Sequence, residues 1–152
     1  MLKGIEREID DHPSSFFLFG PRGTGKSTWL KEKYPDAVYI DLLSDAVYRN
    51  LVTNPDALQD IISGEKNKKT VIIDEIQKVP QLLSVVHKLI EKDTSCQFIL
   101  TGSSSCKLKR EGVDLLGGRA VLKKMYPCTA SELESEFQIE DSLIHGLVPL
   151  IF

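Results

Sequence analysis

Gly20-Pro21-Arg22-Gly23-Thr24-Gly25-Lys26-Ser27 fits the spacing G-x-x-x-x-G-K-[ST] at every required position. Residues of these types at this spacing can do one thing well, which is to grip phosphate. Glycines let the backbone curl until successive N–H groups point inward at phosphate oxygens. The first turn of a following helix adds its dipole to the same anion. Lys26 supplies a full positive charge to the β- and γ-phosphates of a nucleoside triphosphate, and the Ser27 hydroxyl is suited to Mg²⁺. The candidate phosphate-binding set is therefore Gly20, Pro21, Arg22, Gly23, Thr24, Gly25, Lys26, Ser27 and Thr28, with Arg22 expected to face solvent. At a Gly usage of about 7%, a chance match in a chain this long has a probability on the order of one per cent.

A second cluster is acidic. Val71-Ile72-Ile73-Asp74-Glu75 is an apolar run that delivers two adjacent carboxylates at its end. Neighbouring strand residues point to opposite faces, but at a strand terminus the chain can turn and bring both into one cleft. Asp74 is the natural partner of Mg²⁺, directly or through a water, and Glu75 the candidate that orients an attacking water. Alone, such a pair commonly just begins a loop; some fifty residues after a phosphate cradle it is the second half of a site.

Two further features are less specific. Thr101-Gly102-Ser103-Ser104 either brings a hydroxyl such as that of Ser103 toward the γ-phosphate or the water, or serves only as a helix N-cap. Arg119, after Gly117-Gly118, either meets γ-phosphate charge in its own subunit or a neighbour's, or pairs with a surface acid.

The elements that must hold these residues follow from pattern. Ser15 to Phe19, Ala37 to Asp41, Val71 to Ile73 and Cys96 to Leu100 are short apolar runs that read as buried strands, with Ala120 to Met125 a weaker fifth. Between them lie helical stretches. One runs from Gly25 to about Lys33 and stops before Pro35. A second starts at Asn54-Pro55, with Asn as N-cap, and ends near Gly64. A third follows Pro80, where Leu82, Val85, Val86 and Leu89 fall on one face. Thr129-Ala130-Ser131-Glu132 offers a capping box for a short helix, and Asp141 to Leu147 reads as the start of another. Strands apolar throughout and separated by helices predict an α/β sandwich on a parallel sheet, with ligands beyond the carboxyl ends of the strands.

Together these residues resemble the P-loop ATPases that carry an extra strand between their Walker A and Walker B strands. More narrowly they resemble the bacterial and archaeal AAA-like ATPases with Gly-Pro-Arg-x-x-Gly-Lys-[Ser/Thr] and a Walker B running into Asp-Glu-Ile-Gln. The matching residues are Gly20 to Ser27, Val71 to Gln77 with Val79-Pro80, Phe98 to Ser104, and Leu115 to Arg119. The resemblance implies a P-loop NTPase three-layer sandwich with sheet order 5-1-4-3-2. It also implies ATP and Mg²⁺ as ligands, with Lys26, Glu75 and Arg119 catalytic and Ser27 and Asp74 at the metal. Residues 1–136 would form the ATP-binding domain and 137–152 the start of a truncated helical lid segment. Family members continue into a C-terminal domain resembling a restriction endonuclease, and self-association through the ATPase face is a further expectation.

Composition bounds the alternatives. The 152 residues suit one domain, and 41% hydrophobic residues argue against disorder. Nineteen basic against twenty-two acidic residues give a charge of −3, which advertises no general affinity for nucleic acid. A basic patch at Lys107-Leu108-Lys109-Arg110 and Lys123-Lys124 leaves a DNA-acting protein as a lesser reading. A nucleotide-gated interaction module without turnover and a small-molecule kinase share the same cradle. No apolar run approaches the ~18–20 residues that span a bilayer. Three cysteines (Cys96, Cys106, Cys128) form no close-spaced metal pair, so a reducing cytoplasmic setting is the default expectation.

Overall fold

The computed structural model describes residues 6–65, 67–103, 108, 116–133 and 137–148. Five strands form one sheet: β1 (Phe16–Phe19), β2 (Val38–Asp41), β3 (Thr70–Asp74), β4 (Gln97–Gly102) and β5 (Val121–Lys124). Every pairing is parallel and the order is β2-β3-β4-β1-β5, which read from the other edge is the expected 5-1-4-3-2. The described helices are α1 (Lys26–Lys33), α2 (Asp45–Thr53), α3 (Ala57–Gly64), α4 (Leu82–Lys92), α5 (Ala130–Leu133) and α6 (Ile139–His145).

The strands are apolar on both sides because both sides are covered. Side chains alternate across a strand, so Phe17, Phe19, Val71, Ile73, Phe98 and Leu100 enter the larger core with Leu51 of α2, Leu58 of α3 and Leu82, Leu83, Val85 and Val86 of α4. Phe16, Leu18, Ile72 and Ile99 enter a smaller core on the opposite face, closed by Leu30 of α1 and by Met125. Three layers result, and α1 alone among the long helices lies on the second face.

The sequence pattern and the structure part most at one helix. The stretch before Asn54 contains α2, which Ser44 begins from an extended conformation and Asn54 ends with its N–H on the Asn50 carbonyl. Asn54 thus closes one helix, and its own carbonyl then accepts the N–H of Ala57 as α3 starts. Thr129 and Glu132 do form the reciprocal capping box: the Glu132 N–H donates to Thr129 Oγ1 at 3.2 Å and the Thr129 N–H to Glu132 Oε2 at 2.9 Å. The last helix begins at Ile139, slightly earlier than Asp141. No described helix is long and apolar enough to cross a membrane.

Candidate active site

The loop from Gly20 to Gly25 leaves β1 and enters α1 at the carboxyl end of the sheet. Two features of the backbone force glycine there. A Cβ on Gly20 would lie 2.0 Å from the Met125 carbonyl oxygen, so only glycine lets β1 pass the end of β5. Gly23 and Gly25 both sit at φ +87°, a region that other residues rarely enter.

Lys26 is the buried cation of the site. Its Nζ donates to the carbonyls of Gly20 at 2.7 Å and Pro21 at 2.9 Å, and the residue is only 5% exposed. Among the described residues no carboxylate lies within ion-pair distance of it. Burial lowers its pKa, opposed by the negative charges of Glu75 and Asp74. A buried ammonium held by neutral dipoles, at the N-terminus of a helix, is a place where an anion would be favoured. The Thr24 hydroxyl braces the loop from within by donating to the Pro21 carbonyl at 2.9 Å. Pro21 and Arg22 are exposed, Arg22 as its pattern suggested.

Asp74 ends β3, 3% exposed, and three hydroxyls converge on it. Ser27 donates to Oδ2 at 2.6 Å, Tyr39 donates to the same oxygen, and Thr101 donates to Oδ1. Strand periodicity explains the convergence. Tyr39 pairs in register with Ile72, which faces α1, and Asp74 lies two residues further along that face. Thr101, two residues after Ile99, shares it, and Ser27 projects from the first turn of α1. Burial, and secondly its bond to Asp74, raises the Tyr39 pKa, so the phenol stays a donor across the physiological range. The Lys31 ammonium lies 4.7 Å from the centre of the Tyr39 ring.

Glu75 breaks the alternation. Its φ of +63° places a non-glycine residue in the left-handed region, which costs about 1 kcal/mol or more and turns the chain beside Asp74. Its N–H donates to Thr101 Oγ1 at 3.0 Å, and its carboxylate accepts from Gln77 Nε2. Gln77 Oε1 is buried without a partner and would collide at 2.7 Å with a Cβ on Gly102.

Ser27, Lys26, Asp74 and Glu75 therefore meet at one end of the sheet, with Tyr39 and Thr101 bound to the same carboxylate. Tyr39 carried no sequence signal beyond its place in a strand; in the polar tip that could bring a hydroxyl toward phosphate or water, or only cap a helix, the hydroxyl of Thr101 is spent on Asp74. Ser103 is exposed in the bend after β4. The Arg119 guanidinium donates to Glu91 of α4 at 2.7 Å and is partly exposed, the surface pairing that its sequence context allowed. Ser104, Leu115 and the 107–110 basic run, apart from the buried Leu108, lie outside the described residues. Lys123 is engaged with the Asp10 carbonyl and lies over the Phe16 ring.

The donors fit the ligands that the motif implies. Ser27 Oγ and Asp74 Oδ2 are hard oxygen atoms in contact with each other, the type that Mg²⁺ selects. Lys26 and the glycine loop suit a polyphosphate. Parallel sheet, strand order and cradle together define a nucleotide-binding fold of the P-loop class.

Residues 12–134 match the family model described as an AAA domain, and the chain belongs to that family. It is a nucleotide-binding module of the AAA type. Two solved structures are similar to it in part. A DNA replication initiation factor is 17% identical, with 76% of this chain and 40% of that chain covered and a TM-score of 0.45. PCH-2 of C. elegans is 22% identical, with 72% and 33% covered and a TM-score of 0.44. The chain thus spans well under half the length of either. No curated protein matches it.

Proposed function

We propose that this module binds ATP with Mg²⁺ and hydrolyses it to ADP and phosphate. The observation that carries the reading is the Lys26 ammonium, buried at the helix start on the carbonyls of its own loop and 2.7 Å from Gly20 O. In this reading Lys26 exchanges those carbonyls for β- and γ-phosphate oxygens, while the loop N–H groups surround the β-phosphate. Ser27 and Asp74 would hold Mg²⁺, which when bound neutralises charge on the phosphates. Thr101 and Tyr39 fix the rotation of the Asp74 carboxylate. Glu75 orients a water for attack on the γ-phosphorus and accepts its proton, and ADP leaves as the P–O bond breaks.

The bond from Gln77 to Glu75 favours a second reading, in which the module binds nucleotide and turns over little because its carboxylate is held by a neighbour. Lys26→Ala is expected to abolish nucleotide binding by titration calorimetry. Glu75→Gln is expected to retain binding and lose phosphate release. Unaltered hydrolysis by Glu75→Gln would remove that residue from its role. Tight binding without phosphate release by the parent chain would select the second reading.

A further inference from the structure

Arg7 precedes the first strand and belongs to no motif, yet its side chain is among the most committed of the described residues. Its side chain is 7% exposed, and the guanidinium makes three hydrogen bonds, one to the phosphate loop and two to the segment after β5. Nε donates to Glu132 Oε1 at 3.0 Å, Nη2 to the Tyr126 carbonyl at 2.5 Å, and Nη1 to the Thr24 carbonyl, inside the phosphate loop, at 2.6 Å. Glu132 is itself fixed. Besides closing its capping box with Thr129, its Oε1 accepts the Glu8 N–H at 2.8 Å. Burial works against its charge, but the N–H groups of Thr129 and Glu8 and the Arg7 guanidinium prevail and hold its carboxyl below the ordinary value.

The Thr24 carbonyl and the Gly25 N–H belong to one planar trans peptide, so they point in opposite directions. Holding that carbonyl toward Arg7 turns the Gly25 N–H to the other side of the loop. Gly25 is at φ +87° with only the Arg7 Nη1 near the position of a Cβ, so this peptide has little side-chain packing to set its orientation. A glycine peptide can rotate at small cost, and a charge-assisted bond to its carbonyl is the means at hand to stop it.

We infer that Arg7, anchored by Glu132, is a positioning residue of the cradle: it clamps the Thr24–Gly25 peptide so that the Gly25 N–H is presented to phosphate. The inference rests on the phosphate-cradle reading above and extends it to a residue distant in sequence. It also ties the segment after β5 to the loop, because the same guanidinium holds Tyr126 and Glu132.

The test uses the full chain and MgADP. In Arg7→Ala the affinity for MgADP is expected to fall about tenfold, the loss of one aligned charge-supported donor. The Gly25 amide resonance is expected to lose most of its nucleotide-induced downfield shift. Arg7→Lys, which keeps the charge and one donor, should recover part of both. Glu132→Gln, which loosens the anchor, should fall between parent and Arg7→Ala. A merely structural arginine would lower the melting temperature and leave the Gly25 shift of the folded protein unchanged, and that result overturns the inference. Should Arg7→Ala fail to fold, parent-like affinity and Gly25 shift in both Arg7→Lys and Glu132→Gln overturn it equally. The two levels separate cleanly. If Lys26→Ala binds MgADP like the parent, the cradle reading fails, and the inference with it. If Lys26→Ala loses binding while the Arg7 variants keep it, only the role of Arg7 fails.

Discussion

The two halves of the site are finished to different degrees. On the β3 side, Asp74 is surrounded by hydroxyls from Ser27, Tyr39 and Thr101, each from a different element. On the β1 side, the Lys26 ammonium has, among the described residues, only two carbonyls of its own loop. A carboxylate met by three donors is organised before any ligand arrives, whereas an ammonium resting on neutral dipoles gains most when an anion replaces them. The lesson is that strands β2, β3 and β4 and the first turn of α1, rigid and periodic, build the half proposed to hold the metal. The loop half depends on glycine conformations and on clamps from outside.

Substitutions can separate the halves. The largest effect is expected from Lys26→Ala, which should weaken ATP binding about a hundredfold or more whether or not Mg²⁺ is present. Titration with and without chelator checks it. Asp74→Asn keeps an acceptor for the hydroxyls and removes the charge, so only the Mg²⁺-dependent increment of affinity should disappear, about tenfold. If Asp74→Asn weakened chelated ATP as much as Lys26→Ala does, the two halves would not be distinct. Tyr39→Phe deletes one of three donors and should cost about 1 kcal/mol in urea unfolding, with chelated-nucleotide affinity unchanged.

The smallest effect is a pH dependence at Glu132, whose pKa is lowered in the folded chain. A depressed carboxyl adds stability in full above its ordinary value of 4.5, and this is lost as pH falls through the folded value. Acid unfolding followed by circular dichroism should therefore be less steep below that pH in Glu132→Gln than in the parent.

Much of this was legible in local pattern. Glycine spacing marked the loop, unbroken apolar runs marked strands covered on both faces, and the Asp74-Glu75 pair marked the second half. Strand order came instead from the family resemblance, since nothing in the runs Phe98-Ile99-Leu100 or Val71-Ile72-Ile73 says which lies beside β1. Helix α2 escaped because Asn54-Pro55 looks like a beginning, and its buried surface rests chiefly on Leu51. Tyr39 and Arg7 escaped for a different reason. Their partners lie 35 residues away for Tyr39 and 125 for Arg7 to Glu132, and no short-range periodicity encodes contacts of that range.

The central claim is that Lys26 leaves the carbonyls of Gly20 and Pro21 to hold phosphate. A crystal structure of the chain saturated with Mg²⁺ and a non-hydrolysable ATP analogue tests it most directly. The account predicts phosphate density inside the loop with Lys26 Nζ within hydrogen-bonding distance of it, and Ser27 and Asp74 at the metal. Lys26 still on its carbonyls, with the analogue bound elsewhere on the molecule, would contradict it.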